Sequence, residues 1–259
     1  MLASMREAAL AFDSRLPDFI CSQITHREMG VDPSQAAVLG ARTSRSSIGS
    51  SIRSASPGWH DLDTFEQELT YFGRKESYKL ISANGKRAKP DQAPPAGVLS
   101  SGEFGTTLRG IFDPESQAVF TWKRLETLRG EPANVFSFEI AKKNSTARLV
   151  AGTMSVVVAY HGLIFAGRDT KTILRVTTEA ETPPDFPLQQ VTHLLDYDRV
   201  DIAGKQYLVP LHGEMQMSVR KDYAEKGRLG GTSPFLPFRN SIDFRSYRKY
   251  DADAVLRPE

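Results

Sequence analysis

The side chains of this 259-residue sequence best suited to proton transfer or metal ligation are five histidines, His26, His60, His161, His193 and His212. No two of them fall at a spacing that places both rings on one metal ion. His193 shares the apolar parity of Val191, Leu195 and Tyr197, which reads as a core histidine with its hydrogen bonds satisfied. His161 stands in Tyr160-His161-Gly162, at an expected strand junction, and reads as part of a bend. Glu179 and Glu181 are two apart in an expected strand and so share a face. Paired carboxylates can divide the acid and base roles of a reaction, but on a half-exposed sheet this pair reads as a solvated edge. The single cysteine, Cys21, cannot form an internal disulfide and reads as a small packed hydrophobe. The sequence lacks a His-Glu-x-x-His helix, a Gly-x-Ser-x-Gly elbow, a Walker loop and a dinucleotide fingerprint. The expectation is therefore a protein with no catalytic residues, no metal and no cofactor.

The totals narrow the class of partner. Lys and Arg number 33 against 31 Asp and Glu, a net charge of +2, so no electrostatic footprint for nucleic acid is present. Hydrophobic residues make up 40% and charged residues 25%, a composition that supports a packed core rather than disorder. No run approaches the roughly 20 apolar residues of a membrane helix, so an integral membrane protein is not expected. Residues 1–12 contain Arg6 and Glu7 and lack the apolar centre of a signal peptide. As it stands, the chain reads as cytoplasmic or as one whose export signal has been removed.

The elements that would hold any site are mostly strands. Leu2, Met5, Ala9 and Phe12 recur at helical spacing and predict an N-terminal helix over residues 2–14. Phe19 to Arg27 alternates as a strand. The stretch from Gly30 to Gly58 is rich in Ser with scattered Arg, too poor in apolar residues to offset its ordering entropy, and reads as a disordered insertion over 30–58. After Trp59 alternation dominates: Phe65 to Tyr71, Tyr78 to Ala83 closing on Asn84-Gly85, Phe136 to Ile140, Val150 to Tyr160, Leu174 to Ala180, Val191 to Tyr197, and Tyr207 to Val219. One apolar face per strand and short connections predict a single mainly β domain over 1–259, an antiparallel meander. Ser100-Ser101-Gly102-Glu103 is a capping box, and Phe104, Leu108, Ile111 and Phe112 follow on one helical face, which predicts a helix over 100–112 ended by Asp113-Pro114. Gly102, Gly105 and Gly110 weaken it, so it should form only when packed. Residues 221–240 read as a long loop holding Gly230-Gly231 and then Pro234-Phe235-Leu236-Pro237-Phe238.

Several blocks carry a resemblance. Leu16 to Arg27, Glu68 to Lys79, Asn84-Gly85-Lys86, Ser100 to Pro114, Tyr160 to Phe165 and Pro183 to Pro187 resemble uncharacterised exported bacterial proteins whose layout is similar to the LolA-like superfamily of periplasmic lipoprotein carriers and sorting factors. The resemblance runs from about Met1 to Tyr250. It implies a strongly curved antiparallel sheet, an incomplete barrel, with helices over its concave apolar face. It also implies export to the periplasm and an acyl-chain, lipid or lipidated-protein partner.

The function expected is a non-enzymatic binding or carrier module for lipid, with an envelope interaction or sensing module of filled core as the alternative. The candidate concavity is formed by Phe104, Leu108, Ile111 and Phe112 of the short helix with Val209, Leu211, Met215 and Met217 of the long strand. Phe235, Leu236 and Phe238 are its candidate lid, hinged at Gly230-Gly231.

Overall fold

The computed structural model describes residues 6–7, 9–10, 16–30, 58–95, 104, 106–226 and 233–250. Among them, alternating sequences pair in chain order into one open antiparallel sheet that does not close into a barrel. Its strands are β1 (Phe19–Gly30), β2 (Trp59–Phe72), β3 (Lys75–Ala83), β4 (Lys86–Arg87), β5 (Val119–Leu128), β6 (Glu131–Ile140), β9 (Tyr160–Gly167), β10 (Ile173–Ala180), β11 (Leu188–Ile202), β12 (Lys205–Arg220) and β13 (Phe235–Lys249). The order across the sheet is β4-β3-β2-β1-β13-β12-β11-β10-β9-β6-β5, so the last strand closes back beside the first. A separate two-stranded hairpin, β7 (Arg148–Ala151) with β8 (Met154–Val157), completes the strands. Between residues 106 and 226 the helices are α1 (Thr106–Phe112) and α2 (Lys221–Lys226), with short 3-10 turns at Pro114–Ser116 and Lys142–Asn144.

Tight turns make this meander possible. At Asn84-Gly85, Arg129-Gly130 and Ala203-Gly204 both central residues have positive φ. That is the turn whose twist matches the right-handed twist of two flanking strands.

One face of the sheet, the inner one, carries most of the core. Phe19, Cys21, Leu69, Tyr71, Ile242 and Phe244 form one cluster at the β1 side. Phe136, Phe138, Ile164, Val176, Leu195 and Tyr197 form another at the β9 side. Ala9 packs into this second cluster, and Arg6, Glu7, Ala9 and Leu10 are helical, as the N-terminal periodicity predicts. The outer face has a smaller cluster of Leu128, Ala133, Val135, Phe165 and Leu174. Burial pushes the Cys21 thiol far above its ordinary pKa, which suits a packed hydrophobe and not a nucleophile.

Three expectations change. The shared parity of Val150 to Tyr160 does not make one strand: Gly152 turns at φ 58, and the segment folds into the β7–β8 hairpin before β9 begins. Period-2 patterning survives a two-residue turn, which is why the break is invisible to it. The expected loop over 221–240 is largely not a loop where it is described, because Lys221–Lys226 is helical and Phe235 opens β13, leaving Ser233-Pro234 without regular structure. His161 is not at a bend; it lies within β9 opposite Glu139 and Glu179. Residues 31–57, most of the expected insertion, and Gly230-Gly231 lie outside the described residues.

Gly162 is fixed by a close approach. A Cβ built there would lie 1.8 Å from the Thr177 carbonyl oxygen of the paired strand. Gly162→Ala is expected to cost at least about 2 kcal/mol, because backbone rather than a movable side chain must give way. Urea unfolding of the variant checks this, and an unchanged midpoint would contradict it.

Candidate functional site

Helix α1 has seven residues, too short to persist without packing, and it is pinned at both ends. Phe104, just before it, is fully buried, with ring centroids 5.2 Å from Phe19 and 5.1 Å from Phe244. Its backbone N–H donates to Glu76 Oε1 at 3.2 Å. At the other end Phe112 stacks on Phe120 at 5.4 Å. Arg6 Nε donates to the Phe112 carbonyl at 3.0 Å, placing a cation where the helix dipole is negative. Leu108 and Ile111, 1% and 0% exposed, face the β9-side cluster. The helix thus lies fixed across the inner face of the sheet.

The eleven expected site residues do not converge on one cavity. Phe104, Val209 and Leu211 belong to the β1-side cluster, and Leu108, Ile111 and Phe112 to the β9-side cluster. Met215, Met217 and Phe238 belong to a third, with Ala151, Phe186, Leu188 and Val219. The expected alternation of β12 holds there, with Val209 and Met217 buried and Gln216 exposed. Phe235, Leu236 and Phe238 form no lid. They pair with Arg220, Val219 and Met217 inside the sheet, Leu236 buried and the two phenylalanines half-buried. Of the eleven, Met215 and Met217 border open space.

That space is a cavity of about 490 Å³ between α1, the β7–β8 hairpin and the sheet. Its roof is Thr106, Thr107 and Gly110 of α1. One wall is Leu149 and Val150 of the hairpin, preceded by Thr146 and Ala147. The floor is Tyr160, Thr178, Ala180, Val191, His193 and Met215, drawn from four adjacent strands. Gly110 brings the roof close: a Cβ there would lie 3.1 Å from the Tyr160 hydroxyl and 3.2 Å from Thr146 Oγ1. Burial pushes the Tyr160 hydroxyl up to about 12, so it remains a neutral donor and acceptor.

The floor contains the departure of most consequence from the sequence reading. His193 was expected to be a satisfied core histidine, yet its Nε2 is enclosed and has no hydrogen-bond partner among the described residues. The residue as a whole is half-buried, because other parts of it remain accessible while this nitrogen does not. Its neighbours across the strands are Thr178 and Met215. Parity alone located the ring but could not reveal the missing partner.

Burial lowers the His193 pKa to about 4, against about 6.5 in an unfolded chain. Between these values the unfolded state binds the extra proton, so stability from this group is full above pH 6.5 and is lost as pH falls towards 4. The expected loss is on the order of 3 kcal/mol, at about 1.4 kcal/mol per pKa unit. Unfolding of the protein and of His193→Leu, measured from pH 7 to pH 4, should give a shallower pH dependence in the variant. Parallel curves would contradict the assignment.

The outer face carries a groove of about 550 Å³ beside Lys123, Glu139, His161, Glu179 and Glu214. His161 Nε2 lies 3.6 Å from Glu179 Oε2, both side chains about half exposed. Glu179 therefore has His161 as its neighbour, and Glu181 lies beyond the end of β10. Slightly larger than the inner cavity, this groove is bordered by four charged side chains, Lys123, Glu139, Glu179 and Glu214, where the described lining of the inner cavity has Arg148. Sequence reasoning also missed His26, Glu28 and Asp61, whose ligand atoms lie within 4.8 Å of one another among the described residues. His26 and Glu28 sit two apart on one strand face; Glu28 is opposite Asp61 on β2 and His26 opposite Thr64, and a register shift between them brings Asp61 within reach of both. His26 Nε2 is 3.3 Å from Asp61, and Glu28 is held by Arg239 at 2.7 Å, which ties these side chains into a polar network anchored by the Glu28–Arg239 ion pair. Arg239 in turn lies over the Trp59 ring at 4.6 Å.

No helix among the described residues is long and apolar enough to cross a membrane. No protein-family model and no curated protein matches the chain. Solved structures similar to it include a LolA superfamily protein from Nitrosomonas europaea, at 10% identity and TM-score 0.43, covering 99% of this chain and 97% of that one. A DUF1329 family protein from Desulfovibrio piger is similar at 11% identity and TM-score 0.40, covering 99% and 97%. A domain described as outer membrane lipoprotein-sorting, from Vibrio parahaemolyticus, is similar at 12% identity and TM-score 0.37, covering 98% and 94%.

Proposed function

We propose that this chain is a non-enzymatic carrier module that holds an acyl chain, of a lipid or a lipidated protein, in the cavity beneath α1. The observation that supports this reading is the cavity itself. Its volume, about 490 Å³, falls within the range of small-ligand pockets. Leu149, Val158, Leu188, Val191, Met215 and Met217 offer an acyl chain an apolar lining. Methionine side chains are unbranched and polarizable, and so adapt to a flexible chain. The resemblance of the Leu16–Arg27 and Ser100–Pro114 segments to exported bacterial proteins favours the periplasm as its place of work.

Apolar burial supplies the affinity. Each buried methylene contributes about 0.8 kcal/mol, or roughly a fourfold change in dissociation constant. Affinity for saturated fatty acids should rise by about that factor per methylene until the cavity is full, then level off. Displacement of a fluorescent fatty acid by acids of increasing length tests this, and affinity independent of chain length would overturn it. The alternative, an envelope interaction module with a filled core, accounts for the packing of Phe104, Leu108, Ile111 and Phe112 but leaves the cavity without a use.

A further inference from the structure

The cavity is apolar over most of its wall, yet one stretch of its surface is polar and uncharged. Thr178 and His193 are cross-strand neighbours on its floor. Thr106 and Thr107 stand on the roof, and the Tyr160 hydroxyl lies near Gly110 between roof and floor. Among the described residues, the single Lys or Arg in the lining is Arg148, which is exposed and donates from Nη1 to Ser155 Oγ at 3.0 Å. Among the described residues no carboxylate lines the cavity. Within this setting His193 Nε2 is buried and has no partner among the described residues. A buried polar atom without a partner costs free energy that a bound polar group would recover.

Resting on the carrier reading above, we infer that the cavity selects an acyl ligand bearing an uncharged hydroxyl, which pairs with His193 Nε2. A hydroxyl both donates and accepts, so it matches that nitrogen in either tautomer. A carboxylate buried beside Nε2 would lose its hydration, with Arg148 of the lining exposed and already donating to Ser155, and an ammonium would meet no carboxylate among the described lining residues. The flanking side chain of Met215 is unbranched, with several rotatable bonds, and can turn aside to open the approach to the ring. The hydroxyl can be carried by the acyl chain or by an esterified glycerol, and the chemistry at Nε2 is the same.

The test compares binding of palmitic acid, β-hydroxypalmitic acid and monopalmitoylglycerol to the protein and to His193→Leu, by displacement of a fluorescent fatty acid. At least one hydroxylated probe should bind the protein about tenfold more tightly than palmitic acid. That preference should fall to twofold or less in His193→Leu. A gain for β-hydroxypalmitic acid assigns the hydroxyl to the chain, and a gain for monopalmitoylglycerol alone assigns it to glycerol. Binding of palmitic acid with no preference for either hydroxylated probe overturns the hydroxyl assignment and leaves the carrier reading standing. A preference that persists in His193→Leu also overturns it. Failure of all three probes to bind overturns both.

Discussion

Leu108→Asp should abolish or nearly abolish the native fold. Leu108 is 1% exposed and faces Phe136, Phe138, Ile164 and Leu195 across the inner face of the sheet. Aspartate there would lose the buried leucine contacts, about 2 to 5 kcal/mol for truncation alone. It would also enclose a carboxylate with no cation among the residues of that cluster. A single domain has only about 5 to 15 kcal/mol of stability to lose. The seven-residue helix cannot persist once detached, and Phe104 and Phe112 would lose their anchor with it. Thermal unfolding followed by circular dichroism is the measurement. A midpoint within a few degrees of the parent would mean that α1 is a loosely held lid and not part of the core.

The second large effect is expected at Ala180, a small residue on the floor of the cavity beside Tyr160. Ala180→Phe should fill space an acyl chain would occupy, leaving the fold intact because the added ring enters open volume rather than packed core. Fatty-acid affinity should fall at least tenfold, while the thermal midpoint moves little. Val191→Phe, from the neighbouring strand β11, should have the same effect and guards against an artefact of one position. Stable, folded variants that bind as the parent does would place the ligand elsewhere.

The sheet was legible because its signals are local. Alternation gave β2, β6 and β12, and Asn84-Gly85 gave a turn that only residues tolerant of positive φ can make. The helix was legible from Phe104, Leu108, Ile111 and Phe112 at helical spacing, although its described part begins only at Thr106. What failed was non-local. Pro234-Phe235-Leu236-Pro237-Phe238 carries two prolines and reads as a loop, yet it enters β13, the strand that joins β1 to β12. Pro237 is placed opposite Ser218. Local propensity cannot announce a pairing supplied by strands at both ends of the chain.

The candidate site was legible only in part for the same reason. Met215 and Met217 were found because they share the inner parity of a long strand. Thr146 to Val150, Val158 and the roof at Thr106, Thr107 and Gly110 were not, since their relation to the floor is set by how the β7–β8 hairpin and α1 fold over the sheet. His193 lay on the right face, but an unpartnered nitrogen is a property of its surroundings in three dimensions and leaves no trace in spacing.

Mass spectrometry of organic extracts tests the central claim most directly. The protein and Ala180→Phe would be purified side by side from the same cells without detergent, and each extracted into organic solvent. The carrier account predicts acyl lipid in near-stoichiometric amount from the parent and a depletion of at least tenfold from the variant. Extracts of the parent free of acyl lipid, from protein that also fails to bind added fatty acid, would contradict it.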